Sequence, residues 1–238
     1  MIGKTLLTFA LCVLAGTSSL AAGNSVLSHD GRQTFVAPSS NAPHRTNLFD
    51  PGGGRVVIFS NIGKKYDNGR YWCCTGATIT GPTALSGFPE FWQAAAFTPA
   101  DDATISRIAV AVGFVQGVNG LVLSINADSS GAPGAAIQSW DLSNLPTFGD
   151  CCVVDLQKNA GVPVTGGTQY WIVVSTNDSE KRTWAAWNLN DVEQVAPSLN
   201  ATWCSADGGS GNCGTANDIW QVYQDRPAFA LAVFSDAP

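Results

Sequence analysis

Two sets of residues have the types and spacing that chemistry needs. The first is "LVLSINADSSGAPGAAIQSW", Leu121 to Trp140, which sets Asn126, Asp128, Ser129 and Ser130 at a turn rich in Gly and Pro. Oxygen-bearing turns of this kind hold hard cations, but calcium takes about six to eight oxygens, several of them from carboxylates. This turn offers one carboxylate, and its spacing is not that of an EF-hand loop. It is therefore expected to be a hairpin, with Gly131 and Gly134 at positive φ and Pro133 fixing the bend. A weak calcium site at Asp128 and Asn126 is the competing expectation; otherwise no cofactor is expected. Asp101 and Asp102, in "TPADDATI", read as a solvated pair.

The second set is the eight tryptophans, Trp72, Trp92, Trp140, Trp171, Trp184, Trp187, Trp203 and Trp220. An indole face stacks well on the apolar C–H face of a pyranose ring, and it serves equally well as core with one polar atom to satisfy. Trp171 and Trp220 lie in strong strand patterns and are expected in the core. Trp184 and Trp187 are three apart, so on a strand they face opposite sides and at most one is exposed. Trp92, in "PEFWQ", and Trp203, beside Cys204, are the candidate ligand contacts.

Catalytic constellations are scarce. The only histidines, His29 and His44, precede the strand-rich part of the chain, so a Ser-His-Asp or Cys-His site would need that segment to fold back into a cleft. A glycosidase needs two carboxyls about 5–10 Å apart. The three glutamates, Glu90, Glu180 and Glu193, form no such constellation, while the many aspartates leave a carbohydrate-active hydrolase as the enzymatic alternative.

Cysteines and the N-terminus speak to compartment. "MIGKTLLTFALCVLAGTSSLAAG" has one early cation, an apolar run from Leu6 to Ala15, and small residues before a cut after Ala21, the layout of a secretory signal peptide. Its apolar core is shorter than the 20 or so residues of a spanning helix. The expected product is thus secreted (extracellular or periplasmic), with no membrane span after signal removal. Seven cysteines become six once Cys12 leaves. An even count in an exported chain suggests disulfides. Cys204 and Cys213 close a short Gly-rich loop and are the firmest pair. The doublets Cys73–Cys74 and Cys151–Cys152 either bridge each other or hold vicinal bonds; zinc is the lesser alternative.

Charge excludes one class of partner. Twelve Lys and Arg oppose 18 Asp and Glu, only 13% of the chain is charged, and no basic cluster exceeds "GKK". Nothing here neutralises a run of phosphates, so nucleic acid is not expected as a partner.

The elements that must position these residues are strands. Residues 22–54 show no sustained period and read as an irregular leader. From Arg55 short apolar runs recur, "RVVIFSNI", "QAAAFTP", "ISRIAVAVGFV", "GLVLSINAD", "QYWIVVSTN", "RTWAAWNL" and "AFALAVFS", parted by Gly, Pro, Asn and Asp. "SGFPEFWQAA" has room for one helical turn. Residues 55–238 are therefore expected to form a single all-β domain, an antiparallel β-sandwich of jelly-roll type stapled by disulfides. In "GLVLSIN", Leu121, Leu123 and Ile125 should face the core, with Val122, Ser124 and Asn126 on a half-wet face. That register predicts that Leu123→Asp unfolds the domain and that Ser124→Asp is tolerated. "QYWIVVSTN" is apolar on both faces and should be central.

The order "LVLSINADSSGAPGAAIQSW", "GGTQYWIVVST", "WAAWNLN", preceded by "VVIFSNIGKKYDNG" and "FWQAAAFTP", resembles the choice-of-anchor family of bacterial exported β-sandwich domains, particularly its type R form. The resemblance covers about residues 55–235 and rests on turns and core aromatics; the double cysteines are not part of that pattern. It implies an exported β-sandwich and is nearly silent on chemistry. Together these readings lead us to expect a non-catalytic secreted module that binds polysaccharide, or another matrix or envelope component. A structural or adhesive domain without a small ligand is the alternative.

Overall fold

The computed structural model describes residues 25–29, 32–36, 55–62, 71–84, 89–150, 153–176, 182–190, 199–205, 219–224 and 227–236. These residues are all-β, and every strand-to-strand ladder among them is antiparallel, in a sandwich-like arrangement of two sheets. The strands are β1 (Ser25–His29), β2 (Arg32–Val36), β3 (Arg55–Ser60), β4 (Tyr71–Thr80), β5 (Phe91–Phe97), β6 (Ala103–Val110), β7 (Val112–Gln116) and β8 (Gly120–Ser129). They continue as β9 (Ala132–Ser143), β10 (Val154–Val164), β11 (Tyr170–Ser175), β12 (Trp184–Asn190), β13 (Asn200–Cys204), β14 (Trp220–Tyr223) and β15 (Leu231–Asp236).

The smaller sheet runs β10-β6-β15-β3. The larger has two leaves. One runs β9-β8-β11-β5-β13-β14, the other β1-β2-β4-β12-β7, and they meet where β4 and β5 share the single pair Thr80 and Phe91. At that corner the buried Thr80 hydroxyl donates to Pro89 O at 2.6 Å and accepts from Phe91 N–H at 3.1 Å, so a side chain replaces the missing ladder. Leaving those groups unpaired in the interior would cost about 1–3 kcal/mol each.

The main core lies between the sheets. Leu121, Leu123, Ile125, Ile172 and Val174 of the larger sheet pack with Ile105, Ile108, Val110, Leu231 and Val233 of the smaller. The inward alternation expected for "GLVLSIN" is therefore present, and β11 is central between β5 and β8. Chain continuity from β6 to β7 crosses between the sheets at Ala111. There Ala111 N–H donates to Ala230 O, Ala230 N–H to Asn188 O, and Asn188 N–H to Ala111 O. Both alanines are fully buried, and their small side chains let the three backbones close this ring.

Residues 22–54, expected as an irregular leader, contain the hairpin β1–β2, whose second strand pairs with β4. The sequence signal for it is Asp30-Gly31 between two strand runs, a dipeptide suited to a tight turn. "FWQAA" of the suggested helical turn lies in strand β5, and residues 86–88 of that segment lie outside the described residues.

Candidate ligand-binding face

Trp92 and Trp203 reach each other through the ladder of β5 and β13, where they are direct partners. Their rings stack with centroids 4.2 Å apart and planes 24° from parallel. Trp220, the direct partner of Trp203 on β14, extends the row. All three are partly buried and point to the side of the leaf away from the smaller sheet. Trp220, expected in the core, thus flanks the predicted pair.

The floor of this side is made of small or fully buried residues, Ala94, Ala96, Ala201, Val173 and Trp171, with Leu199, Trp220 and Val222 packed over them. β14 lies beside β9 in space although they form opposite edges of the leaf, so the leaf curls toward this side. Alanines on β5 and β13 permit the curl, because larger side chains on a concave face would collide. Trp92 is further held by its Nε1–H, which donates to Glu90 Oε1 at 3.0 Å.

The oxygen-rich turn is a two-residue hairpin loop. β8 ends at Ser129, β9 starts at Ala132, and Ser130 and Gly131 both have positive φ, 56° and 84°. That is the pattern of a type I′ turn, whose twist matches that of the flanking strands. Gly131 takes its expected part. Gly134 does not supply positive φ; a Cβ there would lie 2.9 Å from Ser129 Cβ and 3.0 Å from Ala127 O, so it is needed for close approach. Pro133 sits within β9, opposite Asp128.

The oxygens at this turn are engaged within the protein. Asp128 Oδ1 accepts from Trp171 Nε1 at 2.8 Å and from Gln169 Nε2 at 2.7 Å, and Oδ2 accepts from Gly131 N–H at 3.0 Å. Asn126 accepts from Ser124 Oγ at 2.7 Å and donates to Gly134 O at 2.7 Å. Asp128 therefore secures the one polar atom of the buried Trp171, a role that a turn-centred reading did not assign. Among the described residues no group of three or more His, Cys, Asp or Glu is placed to hold a metal.

Desolvation alone would raise the Asp128 carboxyl, but the donors Trp171, Gly131 and Gln169 outweigh it and hold the pKa below the usual value. A depressed pKa means stabilisation that is present above the unfolded pKa, about 3.9, and is lost as pH falls through the folded value. Asp128→Asn should therefore lower stability at pH 7 by about 1 kcal/mol, a modest figure because the side chain is solvent-screened. The difference from the parent should shrink toward pH 3. Urea midpoints at both pH values test this; an unchanged gap at pH 3 would show that the charge is not the stabilising element.

The remaining candidates are scattered. Asp101 and Asp102 are exposed, and Asp102 Oδ1 accepts from Gly166 N–H at 2.8 Å. Cys204 is buried at the end of β13. Cys213, Cys151 and Cys152 lie outside the described residues, as do the side chains of Cys73 and Cys74 on β4. His44 and the His29 side chain, with Glu180 and Glu193, also lie outside them. Trp187 is fully buried, stacks on Phe229 and donates to Ala230 O at 2.9 Å, while Trp184 is partly exposed, in keeping with their opposite facing.

One buried polar group escaped the sequence reading. Arg107 is 5% exposed, its Nε donates to Asp155 Oδ1 at 2.6 Å, its second nitrogen meets Oδ2 at 2.5 Å, and its guanidinium lies 4.9 Å from the Phe234 ring centre. A lone Arg within "ISRIAVAV" signals only an outward position; its partner 48 residues away is decided by strand pairing.

Fold and site together define an all-β, sandwich-like protein with a curled aromatic face. No family model matches the chain, and no curated protein matches it in sequence.

Proposed function

We propose that this chain is a secreted, non-catalytic β-sandwich module that binds polysaccharide through Trp92 and Trp203. The stacked pair carries the reading. Two indoles that lock each other's rotamers form a pre-organised apolar platform, so little conformational entropy is lost when a sugar ring settles on it. The hydrogen bond to Glu90 fixes one ring further, and Trp220 lengthens the row in the direction a linear glycan would follow. The jelly-roll form, the export signal and the kinship with choice-of-anchor domains belong to the same proposal, as does a Cys204–Cys213 bond tethering the loop that follows Trp203. The half-cystine state of Cys204 supports that last pairing, and a non-reducing peptide map tests it.

Retention on immobilised polysaccharides is the functional test. Trp92→Ala and Trp203→Ala should each weaken retention about tenfold or more, as expected when a central aromatic anchor is lost. The melting temperature of each variant separates lost binding from lost fold. Full retention by folded Trp92→Ala and Trp203→Ala variants would remove the platform from consideration.

The structural or adhesive alternative is favoured by a different feature, the exposed Val56 and Val57 on edge strand β3. Self-association or partner capture without glycan retention would select it. Turnover of a chromogenic glycoside, abolished by a single Asp→Asn change, would establish the hydrolase instead.

A further inference from the structure

A groove of about 880 Å3 crosses the four-stranded sheet, and no tryptophan lines it. Its floor includes Gly161, Thr104, Ser106 and Ser235, from β10, β6 and β15, and it ends against Val56, Val57 and Ile58 of β3. Three consecutive residues of one strand line it. They span the register shift that the ladder between β3 and β15 carries at Ile58, where regular alternation is broken. β3 is the end strand of its sheet, and among the described residues its only ladder is with β15. Val56 and Val57 are 48% and 44% exposed, although β-branched side chains in a row are usually covered. Asp101 and Asp102 stand on the far rim, and Asp236 ends β15 beside β3, where its ladder partner is Arg55; no cationic side chain is among the lining residues. The buried Ser106 hydroxyl beneath the groove has no hydrogen-bond partner within the protein.

We propose that this groove and the free edge of β3 bind an extended, cationic peptide segment of a partner protein by strand addition. An unpaired edge offers backbone donors and acceptors to a peptide in extended form. The two valines give that strand an apolar flank, and the three carboxylates select lysine or arginine at the alternate positions that overhang the groove. Charge complementarity decides the occupant: a second copy of this acidic chain would bring net negative charge to an acidic rim. A glycan finds no aromatic face among the lining residues.

The test uses the full chain and a fluorescent, end-capped hexapeptide of alternating lysine and valine, matched to the six residues of β3. Anisotropy titration should show saturable binding that weakens with added salt. Replacing lysine by glutamate in the peptide, or methylating its backbone nitrogens, should weaken binding at least tenfold. Asp101→Asn with Asp236→Asn should do the same while leaving the melting temperature and polysaccharide retention unchanged; Asp102 is spared because it holds Gly166. Hydrogen exchange should slow at the β3 amides when the peptide is added.

Absence of binding, equal binding of the glutamate peptide, or indifference to the two Asp→Asn changes would overturn the proposal. So would sedimentation showing a dimer that Val57→Lys dissociates, because the edge would then belong to a second copy. Loss of peptide binding with retention of glycan binding, or the reverse, keeps this inference distinct from the function proposed above.

Discussion

Leu123→Asp should yield no folded protein. Leu123 is fully buried in the layer between the sheets, on β8 between β9 and β11. The substitution removes about 1.5–3 kcal/mol of apolar burial and places a carboxyl where nothing can pair with it, at a further cost of several kcal/mol. A domain stable by about 5–15 kcal/mol cannot absorb that sum and keep a useful folded fraction. Circular dichroism and purified yield report the outcome, with Leu123→Ala as the milder companion at about 2–5 kcal/mol. A cooperative melt from Leu123→Asp near that of the parent would contradict the packing.

The neighbouring residue shows where alternation alone misleads. Strand periodicity puts Ser124 on the half-wet face and predicts that Ser124→Asp is harmless. In the fold Ser124 is only 6% exposed, and its hydroxyl donates to Asn126 Oδ1 at 2.7 Å. An aspartate there would set acceptor against acceptor, so Ser124→Asp is expected to cost about 2–3 kcal/mol. The face is covered because the leaf curls until β14 lies beside β9, a long-range event invisible in "GLVLSIN".

Breaking the Arg107–Asp155 pair should have the second large effect. Asp155→Ala leaves a guanidinium buried against Phe234 with its principal anion gone, at about 3 kcal/mol. That is the low end for a broken buried pair, because Asp155 is itself 27% exposed and water can partly replace it. Removing both charges, as Arg107→Met with Asp155→Leu, should recover most of the loss, since paired burial gains little over apolar packing of similar volume. Denaturant midpoints of the two single variants and the double variant give the coupling energy. If the double variant is as unstable as the sum of the singles, the two residues do not act as a pair.

Local pattern was sufficient for much of this molecule. Short β-branched runs parted by turn residues specify strands because a pleated, half-buried surface suits them, and the core residues of β8 and the central place of β11 follow from counting by twos. The type I′ turn was marked by Gly131, and Trp92 and Trp203 were singled out by their flanks. Their stacking was not, because pairing of β5 with β13 joins residues over a hundred positions apart. The same holds for Asp128, whose neighbours suggest a metal but whose partner is the indole of Trp171 across the sheet.

Composition and periodicity act over a few residues, so they determine which segments become strands and which side of each is apolar. Only the tertiary fold decides which strands lie side by side, how far a sheet curls, and therefore which polar atoms find partners. Those outcomes depend on closing long loops and on packing whole faces at once, energies that belong to no single segment. The covered Ser124, the bidentate Arg107 and the paired indoles all arise at that level.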